Sequence, residues 1–491
     1  MSTQSSALKS TVIYGIGRLV GGFASFITLP IYTKNLSPAD YGVVELLVLL
    51  IELAALLIGA KITAGMFRFY SEAQSEQEKK SIFSSTLYFI SILFCVAIAV
   101  IWLLADPIES HLGIQEQGWL VRIFSFTLLI SGCNELFFAM LRIKNRPITF
   151  VGLNIGKLAL QVIFCLLFIW HLKLGYWGVV YASILSNLAL SCYFAFVSSN
   201  FLSRTLDLKF IKALYQFSWP IIISSFGMYL ITFGDRYFIN TYLNTEAVGI
   251  YALAYKFGLL LFSLIWSPFA MYWEPQQYSY AKQESANELF GSVFCSVSIV
   301  VLLAAGGLIN VSPLLIQVIA DPAYQSAIAY VPFIVLAYVF HAWSDFMRFG
   351  LLKSGKTIHI TYATYLSVAA ILVLFMLLIP SYGLLGASIA TLSCFVIRFS
   401  YIAIMGNKYF SIKVPVFKLV FLILYSASIC LMTQQLHLTG WVGIFAIMGI
   451  YFIALLLLLV FPWMNQERDY LKPIIINNKL YKRFTKQSSL S

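Results

Sequence analysis

Charge is what this chain has least of. Only 11% of its 491 residues are Asp, Glu, Lys or Arg, whereas 60% are hydrophobic. With a mean hydropathy of +0.86, it cannot cover a water-facing surface on all sides, which excludes a soluble globule. Histidine is also scarce. The five (His111, His171, His341, His359 and His437) never fall four apart, so no H-x-x-x-H metal-binding helix is present. No long polar stretch occurs, and the one G-x-x-x-x-G-K-[ST] match, Gly350 to Thr357 (GLLKSGKT), falls between two apolar runs with no room for a nucleotide-binding domain around it, which argues against an ATP-driven pump. The seven cysteines are odd in number and all lie in apolar runs, so they read as packing residues and not as a disulfide framework or a metal site. No pattern resembles a nucleophile with its base, and the start, MSTQSSALKS, lacks the charged and small-residue pattern of a cleaved signal, so the first apolar run is expected to be retained.

What the chain has is hydrocarbon. Apolar runs of about 20 residues, long enough to cross a bilayer as helices, recur from 10–33 to 440–462, about fourteen in all. The expected fold class is therefore all-α, a polytopic membrane protein with neither a cofactor nor a metal. Basic residues fall on one side of the runs: Lys79, Lys80, Arg142, Lys144, Arg146, Lys209, Lys212, Lys353, Lys356 and the tail from Arg468 to Lys486. The other side offers only Lys34 and Lys173. The positive-inside rule then puts both termini in the cytoplasm, and the net charge of +12 needs no nucleic-acid partner. Membrane lipids are expected partners.

The chain also repeats itself. Asn35 to Leu46 (NLSPADYGVVEL) matches Tyr242 to Leu253 (YLNTEAVGIYAL), Leu141 to Pro147 (LRIKNRP) resembles Leu351 to Thr357 (LLKSGKT), and Gly178 to Ser186 (GVVYASILS) resembles Gly383 to Thr391 (GLLGASIAT). The three offsets are similar and in order. They predict two six-helix lobes in parallel repeat, 1–200 and 201–410, around a central cavity. Two further helices (411–462) and a basic cytoplasmic tail (463–491) complete the chain.

The opening STVIYGIGRLVGGFASFITLPIYTKNLSPADYGVVELL has a basic residue and paired glycines in its first helix, a proline near the helix end, then LSPADYG. It resembles the polysaccharide-transport branch of the multidrug, oligosaccharidyl-lipid and polysaccharide exporter superfamily. The resemblance implies an inner-membrane flippase, not an enzyme, that moves polyprenyl-pyrophosphate-linked oligosaccharide outward for O-antigen, capsule or lipopolysaccharide assembly, with other polysaccharide assembly proteins as partners. Many members have twelve spans. The two extra spans resemble the lipid II flippase. Spans one, two, seven and eight are implied to line the cavity.

Ionised groups inside spans cost roughly 2.5 to 3.5 kcal/mol each on insertion scales, so each needs a reason. Arg18 shares a small, polar helical stripe with Tyr14, Gly21 and Ser25, and Glu45 and Glu52, seven apart, share a face of the second span. Asp235 and Lys256 lie on spans seven and eight. For Arg18 and Lys256, contact with a pyrophosphate and an interhelical ion pair are both open; Lys157 and Arg398 are the next candidates for substrate. Glu52 is read as the partner of Arg18 or as a coupling carboxylate, and Glu52, Asp235 and Glu45 together as carboxylates either for Na+ or H+ coupling or for a cavity ion pair. Arg122 is expected to snorkel, and Asp345 to pair with Arg348. Two other classes remain, a cation-coupled multidrug or small-solute antiporter and a membrane-embedded glycan polymerase or ligase.

Overall fold

The computed structural model describes residues 26–59, 62–113, 118–198, 203, 207–436 and 438–460. Among these every regular element is helical. Helices α1 (Leu29–Asn35), α2 (Pro38–Ile58), α3 (Ile62–Glu72), α4 (Glu76–Leu103), α5 (Ala105–Leu112), α6 (Trp119–Ile143), α7 (Pro147–Cys165) and α8 (Tyr176–Ser198) come first. Then follow α9 (Leu208–Tyr242), α10 (Thr245–Leu261), α11 (Ser267–Tyr280), α12 (Ala286–Ile319), α13 (Val331–Met347), α14 (Phe349–Lys353), α15 (Ile358–Tyr409), α16 (Val416–Gln434) and α17 (Gly440–Val460). Short π-helical turns, Leu166–His171 and Phe262–Trp266, extend α7 and α10, and a 3₁₀ turn covers Pro322–Ala329.

The starts of these helices are written locally. Pro38 and Pro147 occupy first-turn positions, where a missing N–H costs nothing. Ser75 and Asp207 accept from backbone N–H groups that a helix start leaves orphaned. Outward faces are apolar, with Phe417, Leu431, Val442 and Phe445 all strongly exposed, as suits contact with lipid. The chain is a multi-pass membrane protein: among the described residues eleven helices are long and apolar enough to span, or twelve if the bent pair Pro322–Ala329 and Val331–Lys353 is one span.

Fourteen spans were expected, and two features account for the lower number. The first run, 10–33, lies mostly outside the described residues. Runs 358–379 and 384–405 are joined in the 52-residue α15, whose backbone leaves helical geometry at Gly383 (φ 57°). A Cβ added at Gly386 would collide with the carbonyl of Leu378. In a straight helix residues eight apart are about 12 Å distant, so the chain turns back on itself here, and glycine supplies the left-handed residue that the turn needs.

Packing divides the chain into two compact units. The first takes the described residues to Lys256, with Ile319–Tyr330 and Thr364–Ala390. In it α4, α6, α7 and α8 pack side by side, with Phe138, Leu190 and Phe194 at one core, and α9 lies against α2 and α3. The Tyr365 hydroxyl donates to the Ile223 carbonyl (2.7 Å), fixing Thr364–Ala390 to α9. The 3₁₀ turn is fixed to α1: the Asp321 N–H donates to the Thr33 carbonyl (2.9 Å), the Thr33 hydroxyl to the Ile319 carbonyl (2.9 Å), and the Tyr324 hydroxyl to the Ser37 carbonyl (3.0 Å).

The second unit takes Phe257–Val318, Val331–Ala363 and the described residues from Thr391. Its core is aromatic, with Trp273, Phe290, Phe346, Phe349 and Phe410 in mutual ring contact. Helices α16 and α17 dock on α12 through polar groups. Asn310 donates to the Cys430 carbonyl and the Tyr451 hydroxyl, both at 3.0 Å, and the Ser426 hydroxyl to the Leu302 carbonyl at 2.9 Å.

The repeat is visible in backbone detail. Ser37 caps α2 by accepting from the Asp40 N–H (3.1 Å); its counterpart Asn244 caps α10 by accepting from the Ala247 N–H (2.8 Å). Asn145 and its counterpart Gly355 both take positive φ, 50° and 71°, at the ends of their helices.

Candidate functional site

The site begins at a helix crossing. Gly42 follows Pro38 by one turn in α2, and Gly249 follows Thr245 by one turn in α10. A Cβ added at Gly42 would strike the Thr245 carbonyl, and one added at Gly249 would strike the Pro38 carbonyl. The two backbones therefore touch, and the contact is reciprocal. One turn further along α2, Glu45 is carried against α9 and α10, roughly 10 Å from the helix start at 1.5 Å per residue.

Four charges meet there. Glu45 Oε1 lies 2.9 Å from Lys256 Nζ, and Glu45 Oε2 lies 3.6 Å from Arg236 Nε. Arg236 Nη1 donates to Asp235 Oδ1 at 2.7 Å and to the Thr232 carbonyl at 3.0 Å, while the guanidinium carbon sits 4.5 Å from the Tyr255 ring centroid. Arg236 is 1% exposed and Asp235 0%, so neither charge is solvated, and each is held by its neighbours. Two acids and two bases cancel. Removing one member of such a buried set leaves an uncompensated charge, at a typical cost of about 3 to 5 kcal/mol.

Lys256 is the member that reaches open space. With Glu45 it lines a cavity of about 550 Å³ whose wall also carries Glu52 and Lys157. Thr28, Tyr32, Tyr41, Gln161 and Ser183 add hydroxyl and amide groups, and Val44, Val48, Phe124 and Val179 complete the lining. Such a wall can bind a hydroxyl-rich, charged molecule that hydrocarbon would reject. Among the described residues no group of three or more His, Cys, Asp or Glu is placed to hold a metal ion.

Of the residues singled out in the sequence, Glu45, Glu52, Lys157 and Lys256 are brought to this one cavity. Asp235 does not line it; it pairs with Arg236, which in turn faces Glu45. Arg18, and with it the pairing expected for Glu52, lies outside the described residues. Arg398 lies in the second unit, where it donates to Ser344 Oγ at 3.1 Å. Asp345 and Arg348 pair at 3.5 Å as expected, with Glu274 added at 2.6 Å from Arg348. Arg122 does not simply snorkel: it holds Asp106 at 2.8 Å, while Glu109 of α5 accepts the N–H groups of Gly118 and Val121 at the start of α6. The sequence reading left Arg236 unassigned. Its signal was the Asp235–Arg236 dipeptide inside an apolar run, a pair that neutralises itself and so can be buried.

Comparison with known proteins gives three findings. A family described as polysaccharide biosynthesis protein matches residues 7–275. The succinoglycan biosynthesis transport protein ExoT of Rhizobium meliloti (strain 1021) is 25% identical over 255 residues, which are 52% of this chain and 48% of that protein, so this chain spans about half the length of the relative. In fold, the chain is similar to a lipid II flippase, MurJ, in an inward closed conformation (TM-score 0.71, 13% identity, covering 97% and 99% of the two chains). It is similar also to an inward-facing multidrug resistance MATE family transporter of the MOP superfamily (TM-score 0.64, 15% identity, 81% and 98%).

Proposed function

The chain belongs to the polysaccharide biosynthesis protein family, and on that premise we propose that it is a flippase exporting polyprenyl-pyrophosphate-linked oligosaccharide across the cytoplasmic membrane by alternating access, for cell-surface polysaccharide assembly. The observation that carries this reading is the polar cavity with Lys157 and Lys256 in its wall, set in a bundle whose outer faces are apolar. A pyrophosphate needs cationic groups, and sugar hydroxyls need partners such as Gln161 and Ser183. The relative named for succinoglycan transport supports a glycan cargo, and the likeness in fold to a lipid II flippase supports a lipid-linked one.

In this reading the six-helix lobes 1–200 and 201–410 rock about the cavity, the basic loops and both termini face the cytoplasm, and Arg18 of the first span completes the anion site. Glu45 occupies Lys256 while the carrier is empty, so the pyrophosphate takes the place of the carboxylate. With the inside negative, each charge moved outward gains about 2.3 kcal/mol per 100 mV, and a doubly negative cargo about 4 to 5 kcal/mol. The potential can therefore drive export, with a proton or sodium ion at Glu52 or Asp235 resetting the empty carrier. Depleting the protein is expected to leave labelled lipid-linked glycan on the cytoplasmic face; unchanged distribution between the faces would refute the proposal. Lys256→Ala is expected to lower export per molecule of inserted protein about ten- to hundredfold, the worth of a charge-assisted hydrogen bond, measured as surface glycan per protein.

A second reading, a cation-coupled multidrug antiporter, is favoured by one observation: Glu45 and Glu52 share the cavity with the two lysines. It predicts that depletion leaves the glycan distribution unchanged and sensitises cells to cationic drugs.

A further inference from the structure

The second compact unit buries a set of charges that the cavity does not use. His341 of α13 packs its imidazole against Phe262 (ring centroids 4.5 Å apart, 7° between planes) and Phe395 (4.9 Å, 26°). Arg398 of α15, 4% exposed, brings Nη1 to 3.3 Å from His341 Nδ1. Its Nη2 stands 4.0 Å from Asp345 Oδ1, beyond hydrogen-bond length, and its Nε has no hydrogen-bond partner. Arg348 lies 3.5 Å from Asp345 and 2.6 Å from Glu274 of α11. Tyr338 of α13 also faces His341, and Cys394 of α15 faces Arg398.

The donor capacity of the guanidinium sets the protonation state. A guanidinium only donates, so His341 Nδ1 accepts, and the imidazole is neutral with its proton on Nε2. Asp345 and Glu274 then balance Arg348 and Arg398. A proton added at Nδ1 turns the acceptor into a donor and sets two cations within hydrogen-bond distance. Arg398 has to leave, and Asp345 is the carboxylate within reach. Arg348 can yield its share of Asp345 because Glu274 already holds it more closely. Two guanidinium groups repel a metal cation, which leaves the proton as the ion this set can take.

We propose that His341 is a proton-binding site whose occupancy transfers Arg398 from the imidazole to Asp345. The exchange resets the contact of α13 with α15, and a ligand that binds one of two arrangements shifts the population toward it. The proton site stands on this geometry alone; its use as the coupling ion of export rests on the transporter reading above, and it replaces Glu52 and Asp235 in that role.

The test uses the full chain in lipid nanodiscs with ¹⁵N-labelled histidine rings, His341 being assigned by the signal lost in His341→Gln. The ring is expected to pass from neutral to doubly protonated between about pH 8 and pH 3. In Asp345→Asn the midpoint is expected to fall by about one pH unit, because the displaced guanidinium has lost its carboxylate. A His341 ring that keeps one form across that range, or a midpoint that does not move in Asp345→Asn, overturns the site. His341→Gln keeps an acceptor for Arg398 but binds no proton, so its export of lipid-linked glycan is expected to lose the pH dependence of the wild type. An unaltered pH dependence overturns the coupling role. If the wild type exports no such glycan at any pH, the transporter reading fails, and the ring titration still decides the site.

Discussion

Glu45→Ala is expected to deprive the chain of most of its abundance and all of its export. Its carboxylate bridges Lys256 at 2.9 Å and Arg236 at 3.6 Å. Alanine leaves both cations facing one another in a region where Arg236 is 1% exposed. Breaking a buried set in this way costs about 3 to 5 kcal/mol, a large share of the 5 to 15 kcal/mol that holds a typical domain folded. Asp235 compensates only Arg236, so Lys256 must swing into the cavity to find water. Glu45→Gln should be milder, because the amide keeps the volume and a hydrogen bond to one cation. The pair Glu45→Leu with Lys256→Leu should recover abundance without recovering export, since removing both halves of a buried pair is often neutral. A double-mutant cycle on thermal midpoints separates the effects; coupling below about 0.5 kcal/mol would mean that the two side chains act independently.

The second large effect is expected at the glycine crossing. Gly42→Leu or Gly249→Leu drives a side chain into a backbone carbonyl, and a carbonyl within a helix cannot rotate aside as a side chain can. Overpacking typically costs 1 to 3 kcal/mol, and here the relief is for α2 and α10 to separate, which also parts Glu45 from Lys256. Val248→Cys, at a position wholly buried next to the crossing, is expected to stay unlabelled by a membrane-impermeant thiol reagent in the parent and to label in the leucine variants. Gly152→Ala and Gly156→Ala serve as controls. A Cβ at either meets nothing within 4 Å, so both should be neutral or slightly stabilising, by up to about 1 kcal/mol from helix propensity. If Gly42→Leu matches these controls in melting temperature and labelling, the crossing is not a fixed contact.

How far the sequence could be read depended on the range of each interaction. Helix starts at Pro38, Pro147 and Asp207 were legible because proline and capping side chains act within one turn. The repeat was legible because the equivalent turns keep similar residues, and the structure gives Ser37 and Asn244 the same capping role. Charges in apolar runs marked Glu45, Glu52, Lys157 and Lys256, since each had to find a polar environment somewhere. Which partner each would take was not legible. Glu45 was grouped with Glu52 and Asp235 as a coupling carboxylate or a member of a cavity ion pair, but its partners Arg236 and Lys256 are on helices about two hundred residues on, and no local pattern encodes them. Arg236 was visible as a charge in an apolar run but its role was not, because adjacent residues on a helix point about 100° apart and a stripe drawn through Asp235 passes it by. The guanidinium folds back along the helix to Thr232 and Asp235 instead.

The anchoring of the 3₁₀ turn at Pro322–Ala329 on α1 bears on how the chain is made. Thr33 offers its hydroxyl to a carbonyl 286 residues later. At ribosomal speeds of about 5 to 20 residues per second, roughly 15 to 60 s separate the synthesis of the two partners. During that interval the end of α1 is already in the bilayer with the carbonyls of Thr33 and Ser37 still waiting for Asp321 and Tyr324, so the first unit cannot close vectorially as it leaves the insertion machinery. Its early helices must be held unfinished until the later segment arrives, which makes the nascent intermediate, more than the finished carrier, the form exposed to membrane proteases.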